Sequence, residues 1–180
     1  TPPLTNIRPP QVPAFSTRSS AAPLPVTMER VEDQIGVDKE VSSFVLPVGA
    51  TINMDGTSLY QGVAAVFISQ ALGFDLTLGG QLTIIMTALL ASIGSAAVPG
   101  AGMVMLVIVL ESIGFPPDKL AIGLALIFAV DRPLDMLRTV VNVTGDAMVS
   151  MLVAKSVGKL GEPVEKKWDD HLDELMHKDD

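Results

Sequence analysis

Three long apolar segments follow one another along this chain, and small or polar residues interrupt each of them. The first covers residues 41–74 and contains Asp55 as its only charged side chain. The second lies within the uncharged run 76–110, and the third covers residues 120–154. Because a membrane-spanning helix needs about 20 apolar residues, this pattern predicts an all-α membrane protein with several spans. The alternative is a soluble protein with a very apolar helical core.

Two of these segments contain helix-breaking sequences at their centres. GATINMDGT divides residues 41–73 into halves that are each too short to cross about 30 Å of hydrocarbon, which predicts a broken transmembrane helix. Within residues 81–112, IGSAAVPGAG separates two apolar arms, and its glycines and proline favour a turn at membrane depth. This second pattern predicts a re-entrant helical hairpin. A kinked spanning helix is the alternative.

The third segment is predicted to be one helix over residues 120–155 with a polar stripe on one face. At about 100° per residue, six polar side chains fall within roughly 100° of arc. They are Asp131, Asp135, Arg138, Thr139, Asn142 and Asp146. Ionisable residues that face one side inside a membrane mark a substrate or ion pathway by default. The alternative is a structural stripe of ion pairs that holds two helices together.

The two ends of the chain are polar. Residues 1–13 form a proline-rich lead-in without periodicity, and residues 159–180 form an acidic tail. Lysine and arginine concentrate in the 29–40 loop and in this tail, so the positive-inside rule places both in the cytoplasm of a plasma-membrane protein. The start at Thr1 suggests a fragment.

The composition narrows the classes of function. The chain has 180 residues and no cysteine, which excludes disulfides, thiol chemistry and thiolate metal sites. Its formal net charge of −8 argues against nucleic acid as a partner. The lipid bilayer is the partner that the apolar segments require.

The polar groups inside the apolar segments suit a charged small solute and a hard cation. The unwound backbone at NMDGT offers carbonyl oxygens beside the side chains of Asn53 and Asp55, and hard cations prefer oxygen ligands. Arg138 has the geometry to bind a carboxylate through two hydrogen bonds, and Asp135 has the charge to pair with an ammonium group. These residues predict a membrane transport site for a small charged solute, coupled to a cation.

Four motifs resemble the signatures of the dicarboxylate/amino acid:cation symporter family. They are STRSSAAPLPVTM, GATINMDGT, ASIGSAAVPGAG and DMLRTVVNVTGD, in this order along the chain. The family includes the glutamate/aspartate transporters of bacteria and archaea and the excitatory amino acid transporters. The resemblance runs from about Ala14 to Pro163 and covers only the C-terminal half of a family member.

The resemblance implies a partial transport domain of the glutamate-transporter type over residues 14–158. Residues 14–30 would be the second arm of a first hairpin, followed by the broken helix, the second re-entrant hairpin and the last helix. The scaffold helices that assemble family members into homotrimers would be missing from this chain.

The resemblance also implies roles for individual residues in substrate binding. Family members bind their substrate between the two hairpin tips and the last helix, so Asp135 would take the amino group and Arg138 the side-chain carboxylate. The other implied substrate-binding positions are Ser20, Thr57, Val98, Gly102, Thr139 and Asn142.

Three sodium sites are implied in the same way. The first would use carbonyl groups and one carboxylate, from Gly49, Asn53, Asn142 and Asp146. The second would use the carbonyl groups of Thr51, Ser92, Ile93 and Ser95. The third would use Asn53 and Asp55, with its other ligands in the missing half.

Some positions stand out against the family pattern. Those that depart from it are Pro23, Ala97 and Pro133. Pro133 is expected to interrupt the last helix one turn before the site. Arg18 stands where archaeal and some bacterial members carry an arginine, and it is expected to approach the carboxylates of Asp131 and Asp135.

The sequence therefore predicts secondary active symport of aspartate or glutamate with sodium across the plasma membrane. Sodium ions are the co-transported cations, and neither an enzyme activity nor an organic cofactor is expected. The alternatives are a C4-dicarboxylate:cation symporter, against which Asp135 argues because a dicarboxylate has no ammonium group, and a nonfunctional structural fragment.

Overall fold

The computed structural model describes residues 7–164, and every regular element in this range is helical. The helices are α1 (Arg8–Thr17), α2 (Leu24–Arg30), which continues into a π-helical turn (Val31–Ile35), α3 (Lys39–Ile52), α4 (Asp55–Ala71), α5 (Leu78–Ile93), α6 (Ala101–Ser112), α7 (Pro117–Phe128) and α8 (Asp131–Ser156). The predicted all-α class is confirmed. Most of the acidic tail, residues 165–180, lies outside the described residues.

Helix α1 begins inside the segment for which the sequence predicts an aperiodic lead-in. It starts at Arg8, and proline in its first turn is tolerated because the N–H groups there have no partner within the helix. The helix ends at Thr17, and the next residue, Arg18, has a left-handed conformation with φ of 57°. Helices α1 and α2 pack against each other, and residues 18–23 connect them.

The first long apolar segment forms two helices with an interruption at Asn53 and Met54. Asp38 caps α3 by accepting a hydrogen bond from the N–H of Glu40 at 2.8 Å. Helix α3 ends at Ile52 and α4 begins at Asp55. The interruption lies within GATINMDGT and brings the start of α4 against α8.

Helices α5 and α6 form a second packed pair. The hydroxyl of Thr77 caps α5 by accepting from the N–H of Gly80 at 3.1 Å. The connection, residues 94–100, ends at Gly100, whose φ of 80° favours glycine.

The third apolar segment differs from the sequence prediction of one helix over residues 120–155. It forms α7 and α8, which are separated at Ala129 and Val130. Pro133 therefore lies in the first turn of α8, where it does not interrupt the helix. The expectation of an interruption at Pro133 was wrong, because a first-turn proline removes no helical hydrogen bond.

Two buried clusters form the core. One is contributed by α4, α5, α6 and α7, and the other by residues from α3, α8, the π-helical turn and the segment around Ile7. Large apolar side chains are also widely exposed, among them Leu78 at 74% and Leu90 at 63% on α5. Such extensive apolar surface is typical of a protein that contacts lipid or further protein.

Helix length gives a second, weaker indication of a membrane. Among the described residues, Asp131–Ser156 is the one helix that is long and apolar enough to cross a bilayer alone. Helices α5 and α6 are apolar but shorter.

A short antiparallel contact joins the segment after α8 to the segment between α2 and α3. We call residues 33–38 together with 159–164 the clasp. The N–H of Asp38 donates to Lys159 O at 3.1 Å, and the N–H of Gly161 donates to Gly36 O at 2.7 Å. Lys159 also pairs with Glu40, and this hydrogen bond raises the pKa of Lys159.

The clasp predicts different effects for alanine at two left-handed glycines. Gly36 has φ of 84°, and an added Cβ would lie 2.5 Å from Gly161 O, whereas Gly158 has φ of 70° and open space. Gly36→Ala should lower the free energy of unfolding by about 2–3 kcal/mol, and Gly158→Ala by about 1 kcal/mol for the left-handed backbone alone. Denaturant unfolding in detergent measures both. Equal effects would show that the clasp does not constrain the chain.

Candidate functional site

A buried carboxylate, Asp135, lies where three parts of the chain meet. Its side chain is 1% exposed, and Oδ1 forms an ion pair with Arg138 one turn later on α8. The second oxygen, Oδ2, lies 3.7 Å from Nη1 of Arg18 and accepts from the N–H of Gly100 at 3.3 Å. The α1–α2 connection (18–23) and the α5–α6 connection (94–100) therefore reach the same carboxylate.

Arg138 is enclosed on several sides. The centre of its guanidinium lies 5.8 Å from the centroid of the Tyr60 ring, within cation–π distance. Its guanidinium also occupies the space that a side chain at Gly102 would need, so a larger residue there would displace the guanidinium. Tyr60 in turn donates a hydrogen bond to Oδ1 of Asp131 at 2.8 Å. The predicted position of Arg138 on the stripe thus places a cation in an enclosed site.

Asn142 connects α8 to two other elements. Its Oδ1 accepts from the N–H of Gly56 at 2.8 Å, at the start of α4. Its Nδ2 donates to Oγ1 of Thr57 at 3.2 Å and to Oγ of Ser20 at 3.4 Å. The nearby Thr139 is buried, and its hydroxyl donates to the carbonyl of Asp135 at 2.8 Å.

A small cavity lies between these side chains. Its volume is about 10 Å³, enough for roughly one water molecule. Its lining residues are Arg18, Ser20, Met54, Thr57, Ala96, Ala97, Val98, Arg138, Thr139 and Asn142. The hydroxyl of Ser19 donates to Ala97 O at 2.8 Å and so joins the two connections over this space. Because this space is so small, a larger ligand requires the connections to separate.

A second polar cluster lies further along α8, around Asp146. This carboxylate is 4% exposed, and Oδ1 accepts a hydrogen bond from Nδ2 of Asn53 at 3.0 Å. A Cβ at Gly49 would lie 2.6 Å from the same oxygen, so the backbone of α3 passes directly beside it. Asp55 is exposed, with Oδ2 placed against Gly145 of α8.

The four carbonyl positions implied for a second sodium ion lie on α3 and around the C-terminal end of α5. These two helices contact each other. Ser92 and Ser95 are buried, and the Ser95 hydroxyl has no hydrogen-bond partner. Thr51 and Ile93 are exposed.

The sequence did not predict two residues of the cluster around Asp135. Tyr60 lies one turn after Thr57 on α4, and this spacing is the signal that would have placed it on the same face. Ser19 precedes Ser20 in the serine cluster, but nothing in the sequence indicates which hydroxyl reaches the other connection. Arg18 was expected to approach Asp131 and Asp135, and the structure places it within ion-pair distance of Asp135.

Comparison with known proteins assigns the family. The model of the sodium:dicarboxylate symporter family matches residues 3–156, which is most of the chain. The chain belongs to the sodium:dicarboxylate symporter family. The resemblance seen in the four motifs is thereby confirmed, and the family is one of transporters rather than enzymes.

Individual relatives in the symporter family are similar over most of this chain. Excitatory amino acid transporter 1 of Rattus norvegicus is 53% identical over 140 residues, which is 78% of this chain and 25% of the relative. Excitatory amino acid transporter 3 of Mus musculus is 54% identical over 142 residues, or 79% of this chain and 26% of the relative. A Caenorhabditis elegans excitatory amino acid transporter is 51% identical over 140 residues, or 78% of this chain and 27% of the relative. The chain thus spans about a quarter of the length of these curated relatives. Because symporters act across membranes, the family assigns the protein to a membrane.

Proposed function

We propose that this chain carries the substrate-binding and cation-binding part of a sodium-coupled symporter for acidic amino acids. The observation that carries the proposal is the adjacent pair of opposite charges, Asp135 and Arg138, both buried beside one small cavity. An amino acid with an acidic side chain presents one ammonium group and two carboxylates, and so needs both signs of charge. The names of the relatives, which describe excitatory amino acid transporters, support the same substrate class.

In the loaded site, the substrate would bind to both members of this buried ion pair. Its ammonium group would pair with Asp135 and its side-chain carboxylate with Arg138, whose fork suits bidentate binding. Ser20, Thr57, Thr139 and Asn142 would supply hydrogen-bond donors for the second carboxylate. The backbone beside Val98 and Gly102 would close the site from the α5–α6 side.

Sodium would bind where oxygen atoms collect beside α8. Asp146 would neutralise one ion, with carbonyl groups of Gly49, Asn53 and Asn142 completing its ligands. Asn53 and Asp55 would contribute to another ion, and the exposure of Asp55 leaves room for ligands from outside this chain. The carbonyl groups of Thr51, Ser92, Ile93 and Ser95 would hold a further ion. Each sodium ion that crosses about 100 mV supplies about 2.3 kcal/mol, before any concentration gradient.

The two packed helix pairs would act as re-entrant hairpins. Their connections meet at the cavity, and irregular backbone is tolerated at membrane depth where it lines such a space. Separation of residues 94–100 from residues 18–23 would open the site to solvent. In the complete transporter, which we propose to be a homotrimer of the plasma membrane, the C-terminal tail would face the cytoplasm.

Uptake by the complete transporter, reconstituted into proteoliposomes, tests this function against the dicarboxylate alternative. We expect uptake of labelled L-aspartate that depends on an inward sodium gradient and is poorly inhibited by succinate, because succinate leaves Asp135 without an ammonium partner. Sodium-driven uptake of succinate with no uptake of aspartate would favour the dicarboxylate symporter. Uptake of neither would refute the proposed function. Uptake by the complete transporter but not by residues 1–180 alone would show that these residues by themselves are a nonfunctional fragment.

Asp146 provides a prediction for the cation. Asp146→Asn keeps the side-chain size and removes the charge, and a unit charge about 4 Å away at an effective dielectric constant of 20 is worth roughly 4 kcal/mol. We expect sodium affinity to fall at least ten-fold, while aspartate affinity at saturating sodium changes much less. Aspartate binding titrated against sodium measures both quantities. Asp118→Asn, at an exposed carboxylate on α7, is the control, and equal sodium dependence in both variants would remove Asp146 from the site.

A further inference from the structure

Arg18 occupies an unusual position beside the site. It is the one residue other than glycine with a positive φ among residues 7–164, and it ends α1 by donating its N–H to Ala14 O at 3.0 Å. This left-handed conformation is unfavourable for a residue other than glycine. It points the side chain towards Asp135 Oδ2, 3.7 Å away, while 28% of the side chain remains exposed.

The two oxygens of Asp135 are held by groups of different mobility. Oδ1 pairs with Arg138, which is 8% exposed and enclosed by Tyr60 and Gly102. Oδ2 pairs with Arg18, which lies on a connection and reaches solvent. An arriving ammonium group needs one of these oxygens. Because Arg18 is able to return to water, release of Oδ2 costs less than release of Oδ1.

We propose that Arg18 is a specificity-determining residue that competes with the substrate's ammonium group for Oδ2 of Asp135. The inference rests on the proposed function and adds a distinction between two ligand classes. A ligand with an ammonium group displaces Arg18 and loses the affinity that this displacement costs. A dicarboxylate without an ammonium group leaves Arg18 in place, where its charge shields the ligand from Asp135.

The two ligand classes should therefore respond to Arg18 in opposite directions. Removal of the guanidinium should strengthen L-aspartate binding, because the competitor is gone. It should weaken succinate binding, because Arg18 no longer offsets the repulsion between Asp135 and a carboxylate. A partly exposed ion pair is worth up to about 1 kcal/mol, which corresponds to roughly a five-fold change in each direction.

Binding of L-aspartate and succinate at saturating sodium, by the protein in lipid nanodiscs, tests the proposal. In Arg18→Gln, we expect the ratio of aspartate affinity to succinate affinity to rise at least ten-fold. Arg18→Lys retains the positive charge and should keep a ratio near that of the unchanged protein. Arg8→Gln, at an exposed arginine at the start of α1, is the matched control and should leave the ratio unchanged.

The outcomes separate this inference from the proposed function. If Arg18→Gln weakens both ligands equally, Arg18 attracts carboxylates and the competition is refuted, while the proposed function stands. A ratio that does not change also refutes it. If the unchanged protein binds neither ligand, the proposed function fails first, and the inference falls with it.

Discussion

Arg138→Cys is expected to lower the affinity for L-aspartate by at least a hundred-fold. Removal of one partner of a buried ion pair typically costs about 3–5 kcal/mol, and here the substrate also loses the partner of its side-chain carboxylate. Asp135 would keep Arg18 as its only cation within 4 Å among the described residues. Neutral amino acids should then compete better than aspartate, because their side chains need no cation.

The measurement is competition binding with L-aspartate and a neutral amino acid. Arg132→Cys is the matched control, since Arg132 lies on the same helix but is exposed. Its aspartate affinity should stay within a factor of two of the unchanged protein, in line with the small effects of surface substitutions. Unchanged aspartate affinity in Arg138→Cys would remove Arg138 from the substrate site.

Gly56→Ala is expected to destabilise the protein by about 3 kcal/mol, because it forces α4 away from α8. A Cβ at Gly56 would overlap the carbonyl oxygen of Arg138 and lie 3.0 Å from Cβ of Val141. The overlapping atom is backbone, so no side-chain rotation relieves the contact. The same displacement would lengthen the hydrogen bond from Gly56 N–H to Asn142, so aspartate affinity should fall as well.

A second glycine of α4 provides the control. A Cβ added at Gly62 would meet no atom within 4 Å beyond the neighbouring backbone of its own helix. Gly62→Ala should therefore stabilise the helix by up to about 1 kcal/mol, the difference in helix propensity. Thermal unfolding in detergent compares the two variants. Destabilisation of the same size by both would show that helix propensity, rather than the close approach of α4 and α8, decides the outcome.

Much of the fold follows from signals that are local in the sequence. The interruption at Asn53 and Met54 and the connection 94–100 both coincide with clusters of glycine, proline or small polar residues. The break at Ala129 and Val130 carries no such signal, and α1 contains prolines that normally indicate a loop. In both cases the packing of a helix against its neighbours decides the structure, and local propensity does not report it.

The residues of the candidate site were likewise predicted only in part. Helical periodicity alone places Asp135, Arg138, Asn142 and Asp146 on one face, and the structure buries all four. Periodicity does not identify their partners on other elements, because those contacts join distant parts of the chain. The hydrogen bonds of Asn142 and the ion pair of Arg18 are therefore visible only in three dimensions.

The clasp has a consequence for the order in which the protein assembles during synthesis. It joins residues 33–38, which precede α3, to residues 159–164, which follow α8, so its closure carries the entropy cost of a long loop. Helix α8 is also the last described helix to leave the ribosome, and it carries Asp135, Arg138 and Asn142. Helices α1 to α4 are therefore synthesised before Ser20, Thr57 and Gly56 have their common partner, Asn142. The hydrogen bonds between Asn142 and these residues form only after α8 has been synthesised.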